Sequence, residues 1–151
     1  MSEQQRSLYD TDFHAWALNA AQLLREGRIS EAEMAYVAEE IEDMAGKERR
    51  ELRRRLATIL EHLLKIRLTR GIVLEQNRSL WAQSIVRSQS EIEALLEESP
   101  SLKRRIPELL PKAYRDAARV VAAAGIIDQR IPKTIPFKPQ EVVPGFRARR
   151  A

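Results

Sequence analysis

Apolar residues recur every three or four positions over most of this chain, a period that predicts helices rather than strands. Phe13, Trp16, Ala17, Ala20, Leu23 and Leu24 form a first stripe, with Asp10 or Thr11 placed to cap its start and Gly27 to stop it. Ser30, followed three residues on by Glu33, has the form of a capping box and opens a second helix. Its stripe begins with Met34, Val37, Ile41 and Met44. At 100° per residue it runs on past Gly46 through Leu52, Leu56, Ile59, Leu63 and Ile66. The pattern predicts one helix from about residue 31 to 68, with Gly46 as the place where it would kink, since glycine costs roughly 1 kcal/mol there relative to alanine.

The stretch TRGIVLEQNR reads as a loop, with Ile72, Val73 and Leu74 as a hydrophobic plug or a helix extension. Ser79 is placed to cap a third helix whose Leu80, Trp81, Ile85, Ile92, Leu95 and Leu96 face inward, while Ser84 and Ser88 leave room for close approach. Ser99 and Pro100 read as N-cap and first position of a fourth element. Proline past a first helical turn loses a backbone bond and clashes with the turn before it. Pro107 and Pro111 therefore divide that element into a short helix near 100 to 106 and a longer one ending at Ala124-Gly125. From Arg130 onward, Pro132, Pro136, Pro139, Pro144 and the final FRARRA replace any helical period. The expectation is a single all-α bundle of four to five helices over residues 1–130 with a long central helix. An extended tail, 131–151, follows, its last residues disordered and its Ile131, Ile135, Phe137, Val142 and Val143 lying across the bundle surface.

Composition narrows the chemistry. The chain of 151 residues has no cysteine, which removes disulfides, thiolate metal sites and cysteine nucleophiles, and two histidines are too few for an all-histidine zinc site. No apolar run approaches the ~20 residues of a bilayer span, and MSEQQRSLYD lacks the apolar segment of a signal peptide, so a cytoplasmic location and no membrane partner are expected. A net charge of +4 permits an anionic partner without requiring one.

Within the long helix, Ile41, Glu48, Arg55 and His62 are spaced by seven and fall on one line. Glu48 interrupts the apolar stripe and needs a partner, and Arg55 is within reach of Glu51 one turn earlier, so an ion network on the helix face accounts for these groups. His62, set among leucines, reads as a core-edge histidine; with Asp12 and Glu40 supplying carboxylates it becomes a candidate metal or acid/base residue. The paired Glu-x-x-His spacing of carboxylate-bridged bundles is missing. The acidic residues Glu39, Glu40, Glu42 and Asp43 wrap around the helix as a solvated face, with Asp43 four residues before Lys47 for an ion pair. Arg50, Arg53 and Arg54 share one solvent face, a candidate phosphate-binding stripe that the terminal arginines would extend, though no aromatic interleaves to stack bases. Trp16, Trp81, Phe13 and Tyr114 fit core positions. No P-loop, dinucleotide fingerprint or nucleophile elbow is present, and no cofactor is expected.

Several of these stretches together resemble the bacterial "domain of unknown function 29" family: LYDTDFHAW at 8–16, AEEIEDM at 38–44, LEHLLK at 60–65, LWAQSI at 80–85 and EESPSL at 97–102. With the segment from Tyr114 to Ala118 and the Pro136 region, the resemblance covers about residues 8 to 143. It implies a compact helical bundle of cytoplasmic type, and its recurrent polar positions map onto Asp12, Glu40, His62 and Lys65. The chain departs from the family's usual pattern at Gly71 to Leu74 and at Pro107 and Pro111. The resemblance supplies no activity. The functional expectation is a non-enzymatic module that binds another protein or a second copy of itself. The alternatives are nucleic-acid binding through Arg50, Arg53 and Arg54, and a metal-assisted hydrolase built on Asp12, Glu40 and His62.

Overall fold

The computed structural model describes residues 8–146. The terminal arginines and the expected disorder of the last residues lie outside that range. Every regular element among the described residues is helical, and the chain forms two compact units, Met1–Lys47 and Glu48–Ala151.

In the first unit a helical turn at 8–11 precedes α1, Phe13–Arg25. Asp12, rather than Asp10 or Thr11, is the cap: its carboxylate accepts from the Ala15 amide at 3.0 Å, three residues on, where an N-cap side chain reaches an amide with no helical partner. At the other end Gly27 takes φ 64°, the left-handed conformation that lets the Arg28 amide turn back to the Leu23 carbonyl at 2.9 Å. The expected capping box forms, with the Ser30 amide donating to the Glu33 carboxylate at 2.8 Å and the Glu33 amide to Ser30 Oγ at 3.3 Å. It starts α2, Glu31–Leu68, which is helical without interruption through Gly46. Trp16 and Ala20 are the buried apolar residues of α1, and the rings of Tyr9, Phe13, Trp16 and Tyr36 meet edge-on or tilted at 4.9 to 5.9 Å.

The second unit holds the remainder of α2, then α3, Gly71–Glu98, a 3-10 segment, Pro100–Arg105, α4, Ile106–Ala124, and the short α5, Pro139–Val142. Its core takes Leu52, Leu56 and Ile59 from the predicted stripe, but then Leu60 and Leu64, fully buried with Ile92, Ile106, Ala113 and Val121, in place of the predicted Leu63 and Ile66, which are only half-buried. Each such leucine, isoleucine or valine contributes roughly 1.5–3 kcal/mol by leaving water.

Three expectations are corrected here. The loop predicted from Thr69 shrinks to Thr69 and Arg70, because Gly71 at φ 61° makes the turn and the helix restarts at once, eight residues before Ser79. Asp128 closes that break, its amide donating to the Leu68 carbonyl at 2.9 Å and its carboxylate accepting from the Arg70 amide at 3.0 Å. Leu80, expected inside, is exposed, whereas Trp81, Ile85, Ser88 and Ile92 are buried as read. The C-terminal segment goes deeper than a surface strap: Val142, Val143 and Phe146 are buried core residues, and Gln89 of α3 donates to the Val142 carbonyl at 3.2 Å. Near its start, the Tyr114 hydroxyl donates to the Pro132 carbonyl at 2.5 Å.

Pro100 and Pro107 stand at the starts of their elements, where proline is tolerated. A 3-10 turn carries the chain from Pro100 to Arg105, so Pro107 falls in the first turn of α4, where its missing N–H has no helical acceptor to lose. Pro111 is the one inside the helix.

Candidate functional site

Asp12, Glu40 and Lys65 each have an identifiable local role, and His62 has none. Asp12 caps α1. Glu40 accepts a hydrogen bond from the Tyr9 hydroxyl, and that bond, with partial burial and the nearby charges of Glu40, Glu39 and Asp43, pushes the phenol up to about 12. Both belong to the first unit. In the second, Lys65 donates to the Glu61 carboxylate at 2.6 Å, one turn back on α2. Half-burial depresses the His62 imidazole below its ordinary value; the Lys65 charge adds to this and the Glu61 charge opposes it. Its Nδ1 is buried without a hydrogen-bond partner. Among the described residues, no three histidine, aspartate or glutamate side chains stand where they could share a metal ion.

On the line of sevens, Glu48 and Arg55 are satisfied by neighbours, Arg55 through ion pairs, while Ile41 and His62 take no part. Glu48 accepts from the Ser99 hydroxyl at 2.8 Å, and Arg55 bridges Glu51 at 2.7 Å and Glu91 at 2.6 Å. The Ser99 hydroxyl therefore serves Glu48 instead of capping the 3-10 segment that follows it. Asp43 and Lys47 do not pair, although their spacing allows it.

Of the predicted basic stripe, Arg54 pairs with Glu51, and Arg53 forms a two-pronged bond to Asp116 of α4 at 2.7 and 2.9 Å. Arg50 is exposed and free of any such bond. The Arg53 bonds hold the Asp116 carboxyl below its usual range, with Arg119 and Arg115 contributing through charge. The sequence pattern around Arg50 did not point to Arg115 and Arg119, because nothing in it says which turn of α4 lies beside α2.

Two apolar features remain. A groove of about 380 Å³ in the second unit has an apolar floor of Leu96, Val143 and Phe146 with Glu93 and Glu97 on its rim. In the first unit, most of the predicted core stripe of α2 is bare: Met34 is 47% exposed, Ile41 61% and Met44 62%, while Val37 between them is half-buried. The face of α2 that is covered there lies about a quarter turn away, where Glu33, Tyr36 and Glu40 are buried or half-buried. The only hint in the sequence is the acid that surrounds the stripe. No basic residue occurs between Arg28 and Lys47, against six acidic ones, Glu31, Glu33, Glu39, Glu40, Glu42 and Asp43.

Fold and surface together define an all-helical protein that has one capped, aromatic-stapled helix pair with an uncovered apolar face and one well-filled core. The model of the family described as "Domain of unknown function DUF29" matches residues 8–146, nearly the whole chain, and the chain belongs to that family. Neither the curated proteins nor the solved structures contain a significant match. No helix among the described residues is long and apolar enough to cross a membrane.

Proposed function

We propose that the chain is a non-enzymatic interaction module, a helical adaptor or regulator that docks a protein on the N-terminal half of α2. One observation carries the reading. Met34, Ile41 and Met44 lie on the same helix line as Leu52, Leu56 and Ile59, yet stay in water while the latter three are fully buried. Isolated exposed apolar residues are ordinary, but three large ones in register on one face form a patch of the kind that marks a binding surface. The supporting chemistry is that each polar group examined for catalysis already has a structural duty or no convergent partner. The test is Ile41→Ser with Met44→Ser, read by light scattering after size exclusion and by retention of partner on the immobilised full chain. Loss of an assembly or partner with helicity unchanged supports the reading. A strict monomer that retains nothing overturns it.

A second reading, nucleic-acid binding, draws on Arg53 and its neighbours Arg115 and Arg119 beside the free Arg50. Against it, Asp116 and Glu51 already meet the charges of Arg53 and Arg54. Arg50→Glu with Arg119→Glu abolishes retardation of duplex DNA or RNA at low ionic strength if the face binds phosphates. Retardation unchanged in that variant removes the site.

A further inference from the structure

We propose that the uncovered stripe of α2 takes a basic amphipathic helix from a partner protein. The inference rests on the interaction reading above and names the partner's chemistry. From Met34 to Met44 the stripe runs ten residues, about 15 Å or nearly three helical turns, the length over which an incoming helix presents apolar residues at i, i+3 or i+4, and i+7. Two of its three large side chains are methionines, whose unbranched, polarisable ends conform to varied apolar surfaces.

Charge selects the occupant. Of the six acids on this half of α2, Glu33 is engaged with Ser30 and Glu40 with Tyr9. Glu31, Glu39, Glu42 and Asp43 have no ion-pair partner among the described residues. At 100° per residue Glu31 and Glu42 border the stripe along one edge and form its rail, while Glu39 and Asp43 lie on the far side of the helix, near Tyr9. The surface is thus an apolar strip with a rail of unneutralised carboxylates, complementary to a helix that has lysine or arginine beside its leucines.

The same rail disfavours two other occupants. A second copy paired antiparallel about a two-fold axis would set the Glu31–Glu42 edge against its own image, and a parallel pair would set it beside the edge carrying Glu33 and Glu40, so like charges meet either way. An anionic lipid surface repels the rail for the same reason.

The probe is a fluorescent synthetic helix of about 18 residues, five turns, with leucines on one face and lysines beside them, titrated into the full chain and followed by anisotropy. Binding is expected to weaken roughly tenfold or more in Ile41→Ser. It should weaken further with salt and in Glu31→Lys with Glu42→Lys, while Glu75→Lys with Glu98→Lys, an equal change of charge at exposed positions on α3, leaves it nearly intact. Circular dichroism checks that each variant keeps its helices. Four results overturn the inference: no binding of the basic helix, equal binding of its glutamate counterpart, an equal loss in the α3 control, or a dimer that Ile41→Ser dissociates. The last leaves the interaction reading standing with a second copy as occupant. Stripe variants without effect on any partner or assembly remove both.

Discussion

One helix is treated in two opposite ways along its length. From Leu52 to Leu64 the apolar line of α2 is sealed beneath α3, α4 and the C-terminal segment; from Met34 to Met44 the same line, continued by the same period, is in water. In the first unit α1 is fixed instead by an aromatic cluster and the Tyr9–Glu40 bond, on a face turned from that line. The difference teaches that an amphipathic stripe states only what a helix can bury. Whether it is buried depends on what else the chain brings to it. With so few buried side chains, the helix pair is expected to open before the second unit, where the buried core is larger.

The largest expected effect breaks the well-covered half. Leu56→Ala should cost about 2–5 kcal/mol in urea unfolding, since Leu56 is fully buried and its methyl groups leave a cavity. A cost below ~1 kcal/mol would mean that the core around α2 is loosely filled. Next, Ser30→Ala removes one side of the capping box and should cost about 1 kcal/mol, seen as earlier melting of the first unit by hydrogen exchange while protection around Leu56 is unchanged.

Two groups, one in each unit, should also answer pH in opposite directions. His62 is held neutral by burial, so its folded value lies below about 6.5; the unfolded chain takes up the proton first, and stability falls as pH drops below that point. Tyr9 is raised from 10.0 to about 12, so its contribution is present below pH 10.0 and lost as pH climbs through about 12. Thermal unfolding across pH should lose the part of its acid slope nearest pH 6.5 in His62→Gln and part of its alkaline slope above pH 10.0 in Tyr9→Phe, each without disturbing the other. The smallest effect sharpens the contrast most: Ile41→Ala, on the same line as Leu52 and Ile59, should change stability by less than about 0.5 kcal/mol. A cost like that of Leu56→Ala would show that the stripe is covered in solution.

Much of the fold was readable before any coordinates. The bounds of α2, the Ser30–Glu33 box, the Gly27 stop, the division near Arg105 and the Arg55–Glu51 pair all follow from local rules, because period, caps and one-turn ion pairs depend on residues a few positions apart. The candidate polar group fared differently. Side chains spaced by seven share a side of a helix, but each is ~10.5 Å from the next, so a common line is not a common site. Glu48, Arg55 and Lys65 found partners through ordinary neighbours, whether in sequence, as with Glu61, or across the fold, as with Ser99 and Glu91. Leu80 was misread because an apolar residue next to Trp81 fits the helical period almost as well as its neighbour does.

Sequence by itself determined that this chain is helical, where its long helix starts and stops, which line of that helix is apolar, and that thiol chemistry and an all-histidine zinc site are out of reach. Only tertiary structure decided that Val142, Val143 and Phe146 complete the core, that Arg53 reaches Asp116, and that Met34, Ile41 and Met44 stay exposed. The reason is physical. Backbone hydrogen bonding and periodicity are set within a few residues, whereas burial is a contest among all the apolar surfaces of the chain for a limited set of neighbours.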